Sequence, residues 1–152
     1  MPPSHLAILC VRNEGAFLLE WLAHHRAVGF DSFLVFSNNC QDGTDTMLDR
    51  LAAMGVVTHV RNDGPYAKGG IQFTALKAAA KHVSVQQAEW ILPLDVDEFV
   101  NIHCGDHTLD ALHAAIPMPP PSPSRGDFSA RMNRSDIPIL RCSIPSPKPP
   151  PP

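Results

Sequence analysis

An α/β fold in three layers, a mostly parallel sheet with helices on both faces, is the architecture this sequence predicts. Three observations carry that prediction. Short, almost wholly apolar runs recur between residues 5 and 94, the pattern of strands covered on both faces. Stretches with helical spacing of apolar residues separate those runs, so that strand–helix–strand alternation repeats three times. Polar loops follow the strands, where an open parallel sheet gathers its ligand-binding residues.

His5–Val11 (HLAILCV) is the first strand, broken by Arg12-Asn13-Glu14-Gly15. Ala16–Val28 then reads as a helix, with Phe17, Leu18, Trp21, Leu22 and Val28 on one broad face and Glu20, His24 and Arg26 towards the other. Burying each large member of that face is worth roughly 1.5–3 kcal/mol, so this helix should anchor the domain. Gly29 is its C-terminal stop. Ser32–Ser37 (SFLVFS) is the second strand, followed by the loop NNCQDGT and a helix from about Thr44 to Met54, with Asp45 near its positive end and Gly55 past its last turn. Val56–Val60 makes the third strand and RNDGPYAKGG a loop. Helical spacing resumes from Ile71 to about Val83, Trp90–Leu94 is the fourth strand, and a last helix spans Thr108 to Ile116 on Leu109, Leu112 and Ile116. Right-handed crossovers restrict the layout, and the usual solution places strands two and three on one side of strand one and strand four on the other. The carboxyl ends of strands one and four flank the switch point of such a sheet, so Arg12, Asn13 and Glu14 should face Asp95 and Asp97 across one crevice. The loop with Asn38, Asn39 and Asp42 forms the next wall.

Composition narrows the function classes. The 152 residues suit one domain, and a hydrophobic fraction of 44% supplies a core. The net charge of −3, with 12 scattered Lys and Arg, argues against a nucleic-acid partner. No apolar run is long enough for a transmembrane segment, and the amino terminus lacks the basic region of a signal peptide. Cys10, Cys40, Cys104 and Cys142 are far apart with no C-x-x-C, so a cytoplasmic setting is expected, with peripheral membrane association left open. Twelve of the 16 prolines fall in residues 117–152, a density no α/β core carries. Residues 1–116 therefore read as the folded domain and 117–152 as a proline-rich disordered tail.

The chemistry concentrates in WILPLDVDEF. Asp95 and Asp97, at i and i+2 beyond a strand end, can turn both carboxylates to one point, and their repulsion calls for a proton or a cation. Hard oxygen ligands suit magnesium or manganese completed by substrate phosphates and water. A solvated pair of loop acids is the plain alternative, and position at the switch point favours the metal. A calcium loop of the EF-hand type is excluded because its fifth and sixth positions are Phe99 and Val100. The HCGDH segment, with His103, Cys104, Asp106 and His107, matches no strong zinc template. A phosphatase that attacks through the first Asp would carry the pair after strand one, not strand four.

VRNEGAFLLEWLAHHRAVGFDSFLVFSNNCQDGTDTMLDRL, an Ile71-Gln72 helix and WILPLDVDEF together resemble the amino-terminal half of a family 2-like glycosyltransferase over about residues 5–116. The resemblance implies a Rossmann-like GT-A nucleotide-sugar-binding fold, incomplete at the carboxyl end, and transfer of a sugar from a nucleotide-sugar donor with Mn2+ or Mg2+. It makes Asp97 the metal ligand, and Asp95 a ribose contact or second metal contact. It also makes Arg12, Asn13, Glu14, Asn38 and Asp42 the nucleotide-binding loops, with Gln72, and more weakly Lys68, approaching the nucleotide. Asn38 stands where an Asp is common in that family, and Asp42-Gly43 equally suits a turn. The acceptor, whether glycan, lipid or protein, is not specified.

An inverting transferase also needs a general base. The family takes it from a second half, whereas after residue 116 this sequence offers only Asp127 and Asp136 in proline-interrupted surroundings. The expectation is a truncated pattern, with strand four as an apolar sheet edge open to association with another chain. The competing reading is a catalytically inactive nucleotide- or metal-binding module with a proline-rich interaction tail.

Overall fold

In the computed structural model, which describes residues 4–116, the chain divides between Asn101 and Ile102 into two units. The first holds a four-stranded, wholly parallel sheet ordered β3-β2-β1-β4, the layout expected from the sequence. Its strands are β1 (His5–Val11), β2 (Ser32–Ser37), β3 (Thr58–Arg61) and β4 (Trp90–Leu94). The helices α1 (Gly15–Val28), α2 (Thr44–Ala53), α3 (Gly70–Ala79) and the short α4 (Val83–Gln87) connect them.

β1 lies at the centre because nearly every side chain it carries is apolar, and Leu6, Ala7, Ile8, Leu9 and Val11 are all buried. Its even positions Leu6 and Ile8 join Leu34 and Phe36 of β2 in a layer covered by Ala75 and Ala79 of α3 and Val85 of α4. The opposite layer belongs to α1, whose fully buried Trp21 meets Phe33 edge-on at 5.9 Å. Small alanines let α3 lie close to its layer, while α1 fills the other with an indole. Gly29 ends α1 in the left-handed region (φ 115°), its N–H reaching the carbonyls of His25 and Arg26.

Beyond shifts of a residue at element ends, the expected and observed elements differ in four places. Phe17 is 58% exposed, because the inward stripe of α1 runs through Leu18, Trp21, Leu22, His25 and Val28. β3 starts at Thr58 rather than Val56, since the Val56 N–H is taken by the Leu51 carbonyl (2.9 Å) at the end of α2. The helix expected over 71–83 ends at Ala79, and His82, in extended backbone, caps a new helix by accepting from the Ser84 N–H. At the far end only Leu109 of the expected inner face is buried.

The second unit is described over 102–116 and holds α5 (Leu109–Ala115), which Thr108 caps through its hydroxyl to the Ala111 N–H (3.2 Å). The tail expected over 117–152 lies outside the described residues. Among the described residues, no helix is long and apolar enough to cross a membrane.

Candidate functional site

β1 and β4 run side by side and in parallel, so the loops leaving their carboxyl ends start from neighbouring points. Arg12 and Glu14 leave β1, Asp95 and Asp97 leave β4, and all four line one cleft of about 560 Å³. That volume falls in the range of small-molecule sites.

Glu98, the third acid of the DVDE segment, has a different task. Its N–H donates to the Asp95 carbonyl (3.1 Å) and its carboxylate accepts from the Asp95 N–H (3.0 Å), which closes a tight turn. The carboxylates of Asp95 and Asp97 are carried on that turn as part of the cleft lining.

The cleft also holds residues that the sequence reading left aside. Cys10 sits in its lining, and burial, with the nearby Asp95 charge, pushes its thiol up to about 11. That thiol stays protonated and unreactive at neutral pH. Glu20 and Phe17 reach the cleft from α1, and Val96 and Phe99 from the β4 side. Four carboxylates (Glu14, Glu20, Asp95, Asp97) thus share the space with one guanidinium (Arg12), a balance that attracts cations. Phe17 and Phe99, both exposed residues, add apolar surface to its lining.

Three predicted contact residues help to build the loops. The Asn13 side-chain oxygen accepts from the Gln41 N–H (2.7 Å), tying the β1 and β2 loops together from a left-handed backbone (φ 59°). Asn38 is 4% exposed; its amide donates to the Val11 carbonyl (3.4 Å) and its oxygen accepts from Asn62 (2.8 Å). Asp42 accepts from the Thr44 hydroxyl (2.6 Å) and N–H (2.9 Å) and, more weakly, from the Gly15 N–H (3.4 Å). Those bonds hold its carboxyl below the usual carboxylate range, the Thr44 hydroxyl first among them. This is the turn role that Asp-Gly suggests. Gln72 is exposed in the first turn of α3, outside the cleft lining, and Lys68 is exposed in the loop before it.

The floor beneath the acidic turn is α1. The indole N–H of Trp21 is shared between the carbonyls of Asp95 (3.1 Å) and Glu98 (3.0 Å). One turn further on, His24 donates from Nε2 to the Val100 carbonyl (2.8 Å), and the Val100 N–H donates to Nε2 of His25 (3.3 Å). His25 is fully buried, and its Nδ1 donates back to the Trp21 carbonyl (2.8 Å), so the ring is neutral. The signal was present in the sequence as a histidine on the apolar stripe of a helix, at i+4 from a tryptophan.

Among the described residues, no group of three or more His, Cys, Asp or Glu is placed to hold a metal ion. The described residues therefore offer a cation at most a pair of acids.

Against known proteins, no family profile matches the chain. A glycosyltransferase family 92 protein of Ricinus communis is 30% identical over 112 residues, 71% of this chain and 19% of its own length. One from Oryza sativa subsp. japonica is 26% identical over 110 residues, 70% of this chain and 18% of its own. The chain thus spans about a fifth of the length of the curated relatives it matches. Among solved structures, S. aureus TarS superposes with a TM-score of 0.51 over 74% of this chain and 19% of its own, at 17% identity, a likeness of fold alone. The mannosyltransferase PcManGT of Pyrobaculum calidifontis, in complex with GDP-Man and Mn2+, reaches 0.49 over 64% of this chain and 28% of its own at 21% identity, too low to carry an argument. The relatives bear the family 92 name where the motifs resemble family 2, so the likeness in sequence is to glycosyltransferases in either case, and the GT-A-like α/β sheet is a likeness of fold.

Proposed function

We propose that this chain is the nucleotide-sugar-binding part of a glycosyltransferase, with the family 2-like division of labour at its acidic pair. One observation carries the reading: Arg12 and Glu14 of the β1 loop and Asp95 and Asp97 of the β4 loop line the same cleft at the switch point of a parallel sheet. Asp97 holds Mn2+ or Mg2+, and Asp95 takes the ribose or a second contact to the ion. Arg12 meets negative charge of the donor, its guanidinium being the one cation in the lining. Asn13, Asn38 and Asp42 shape the base pocket as scaffold, and Gln72 approaches the nucleotide from α3.

The donor set fits a hard divalent ion. Both acids are exposed carboxylates at the mouth of a cleft that carries excess negative charge. When bound, such an ion neutralises the diphosphate leaving group as the bond to the sugar breaks. The protein's own contribution is to hold two carboxylates on a closed turn and to offer a guanidinium opposite. The acceptor is a glycan, a lipid or a protein hydroxyl.

Thermal melting of the full chain with a panel of UDP- and GDP-sugars, with and without Mn2+, tests this. Ligand at 100-fold its Kd stabilises by about 2.7 kcal/mol, or roughly 10 °C or more for a domain of this size. The shift should need nucleotide and metal together and vanish in Asp97→Asn. No metal-dependent shift with any nucleotide would overturn the proposal.

A further inference from the structure

We infer that Trp21, His24 and His25 are positioning residues of the donor site, holding the acidic turn through main-chain hydrogen bonds without touching the ligand. The inference rests on the reading of Asp95 and Asp97 as the metal–diphosphate anchor.

Residues 95–100 form no strand or helix, so no backbone ladder fixes them. Glu98 closes the turn on itself, but nothing in that closure sets where the turn sits over the sheet. The setting comes from α1. Trp21 fastens the Asp95 and Glu98 carbonyls, and the His24–His25 pair grips both the carbonyl and the N–H of Val100. The three side chains occupy positions i, i+3 and i+4 and share one end of a helix face. Trp21 and His25 are fully buried, their rings lie tilted at 38° with centroids 4.1 Å apart, and Nδ1 of His25 is tied to the Trp21 carbonyl. The donors and acceptors are therefore rigid before any ligand arrives, which is what a binding constellation needs from its support.

The same pair aims a side chain into the cleft. The Phe99 ring stacks on His25 (5.9 Å, 25°) and meets His24 edge-on (5.1 Å, 78°), while 44% of the residue remains exposed. One face of the ring is fixed by the histidines, and Phe99 lines the cleft with Asp95 and Asp97. α1 thus sets the acids and their aromatic neighbour as one piece.

Three variants of the full chain test this: Trp21→Phe, which keeps an aromatic ring but loses the N–H; His24→Leu; and His24→Gln, whose amide can donate to the same carbonyl. Amide hydrogen exchange reads residues 95–100 against β1 and β2, and Mn2+ binding in the presence of UDP or GDP is read from the free Mn2+ EPR signal. Trp21→Phe and His24→Leu should speed exchange in 95–100 alone and weaken Mn2+ by about tenfold, the usual effect of removing a group that orients a ligand. His24→Gln should restore both. Exchange that rises equally across β1 and β2, unchanged Mn2+ affinity in the variants, or no rescue by Gln would overturn the positioning role while leaving the anchor standing. A wild-type chain that takes up no Mn2+ with either nucleotide would instead overturn the anchor, and the positioning role with it.

Discussion

The two edges of this sheet treat polar side chains in opposite ways. Beside β2 and β3 they bind one another. Ser37 Oγ meets His59 Nε2 at 2.8 Å, His59 Nδ1 meets Asp49 at 2.7 Å, and Arg61 bridges Asp49 (2.8 Å) and Asp45 (2.9 Å). Between β1 and β4 the hydrogen bonds go to main chain, and the carboxylates line a cleft. The Ser37–His59–Asp49 line has the distances of a nucleophilic triad, yet Ser37 is 1% exposed, so no substrate reaches its hydroxyl. Triad distances without access describe a seam in the fold, whereas charged groups around open space describe a site.

The largest effect should come from removing the piece on which the cleft side rests. Trp21→Ala deletes a fully buried indole and its two main-chain bonds, and a core change of that size costs about 3–5 kcal/mol. Urea unfolding should show that loss, and a cost below about 1 kcal/mol would mean that α1 does not anchor the domain.

Much of this contrast could be read from the sequence, and the reasons differ by residue. β1, β2 and β4 matched their apolar runs at both ends: β1 and β2 are buried on two faces and leave an unbroken signal, whereas β4 keeps an apolar run although Trp90 and Leu92 are exposed. Strand order matched the usual arrangement of an open parallel sheet, and that order brought Arg12, Glu14, Asp95 and Asp97 to one cleft. Glu20 was missed because a helix face turned to a cleft has the same pattern as one turned to water, and Phe17 because an apolar residue beside a buried stripe reads as part of that stripe. The turn role of Asp42 was legible in Asp42-Gly43, whereas the side chains of Asn13 and Asn38 join loops far apart in sequence, pairings that no local pattern encodes. The Ser37–His59–Asp49 seam went unread for the same reason, since it needs the β2–β3 register first.

A smaller effect should come from opening the seam. His59→Ala orphans the buried Ser37 hydroxyl, a loss of about 1–3 kcal/mol. The metal-dependent thermal shift with nucleotide should be unaffected, because the seam lies outside the cleft lining. A variant that melts lower and also loses the ligand shift would erase the distinction between the two edges.

Acid should separate the edges with the smallest effect. His25 must be neutral to accept from the Val100 N–H, and burial pushes its pKa below the ordinary 6.5, against the Trp21 carbonyl bond and with help from His24. His24 is the titratable group that meets it; the other rings packed on it belong to Trp21, Phe30 and Phe99. Between that lowered value and 6.5 the unfolded chain binds the extra proton, so the His25 contribution is full above 6.5 and falls as the pH drops through that window. On the other edge, Arg61 first and then His59 hold the Asp49 carboxyl below its ordinary 3.8. Its contribution is full above 3.8 and is lost only as the pH falls through the lower, folded-state value. Melting midpoints taken downward from about pH 7 should therefore show an early decline that His25→Gln flattens and a later one that it leaves in place. A wild-type midpoint that stays level until the carboxylates titrate would show that the neutral His25 ring contributes nothing, and the cleft side would then owe its order to Trp21 and His24 alone.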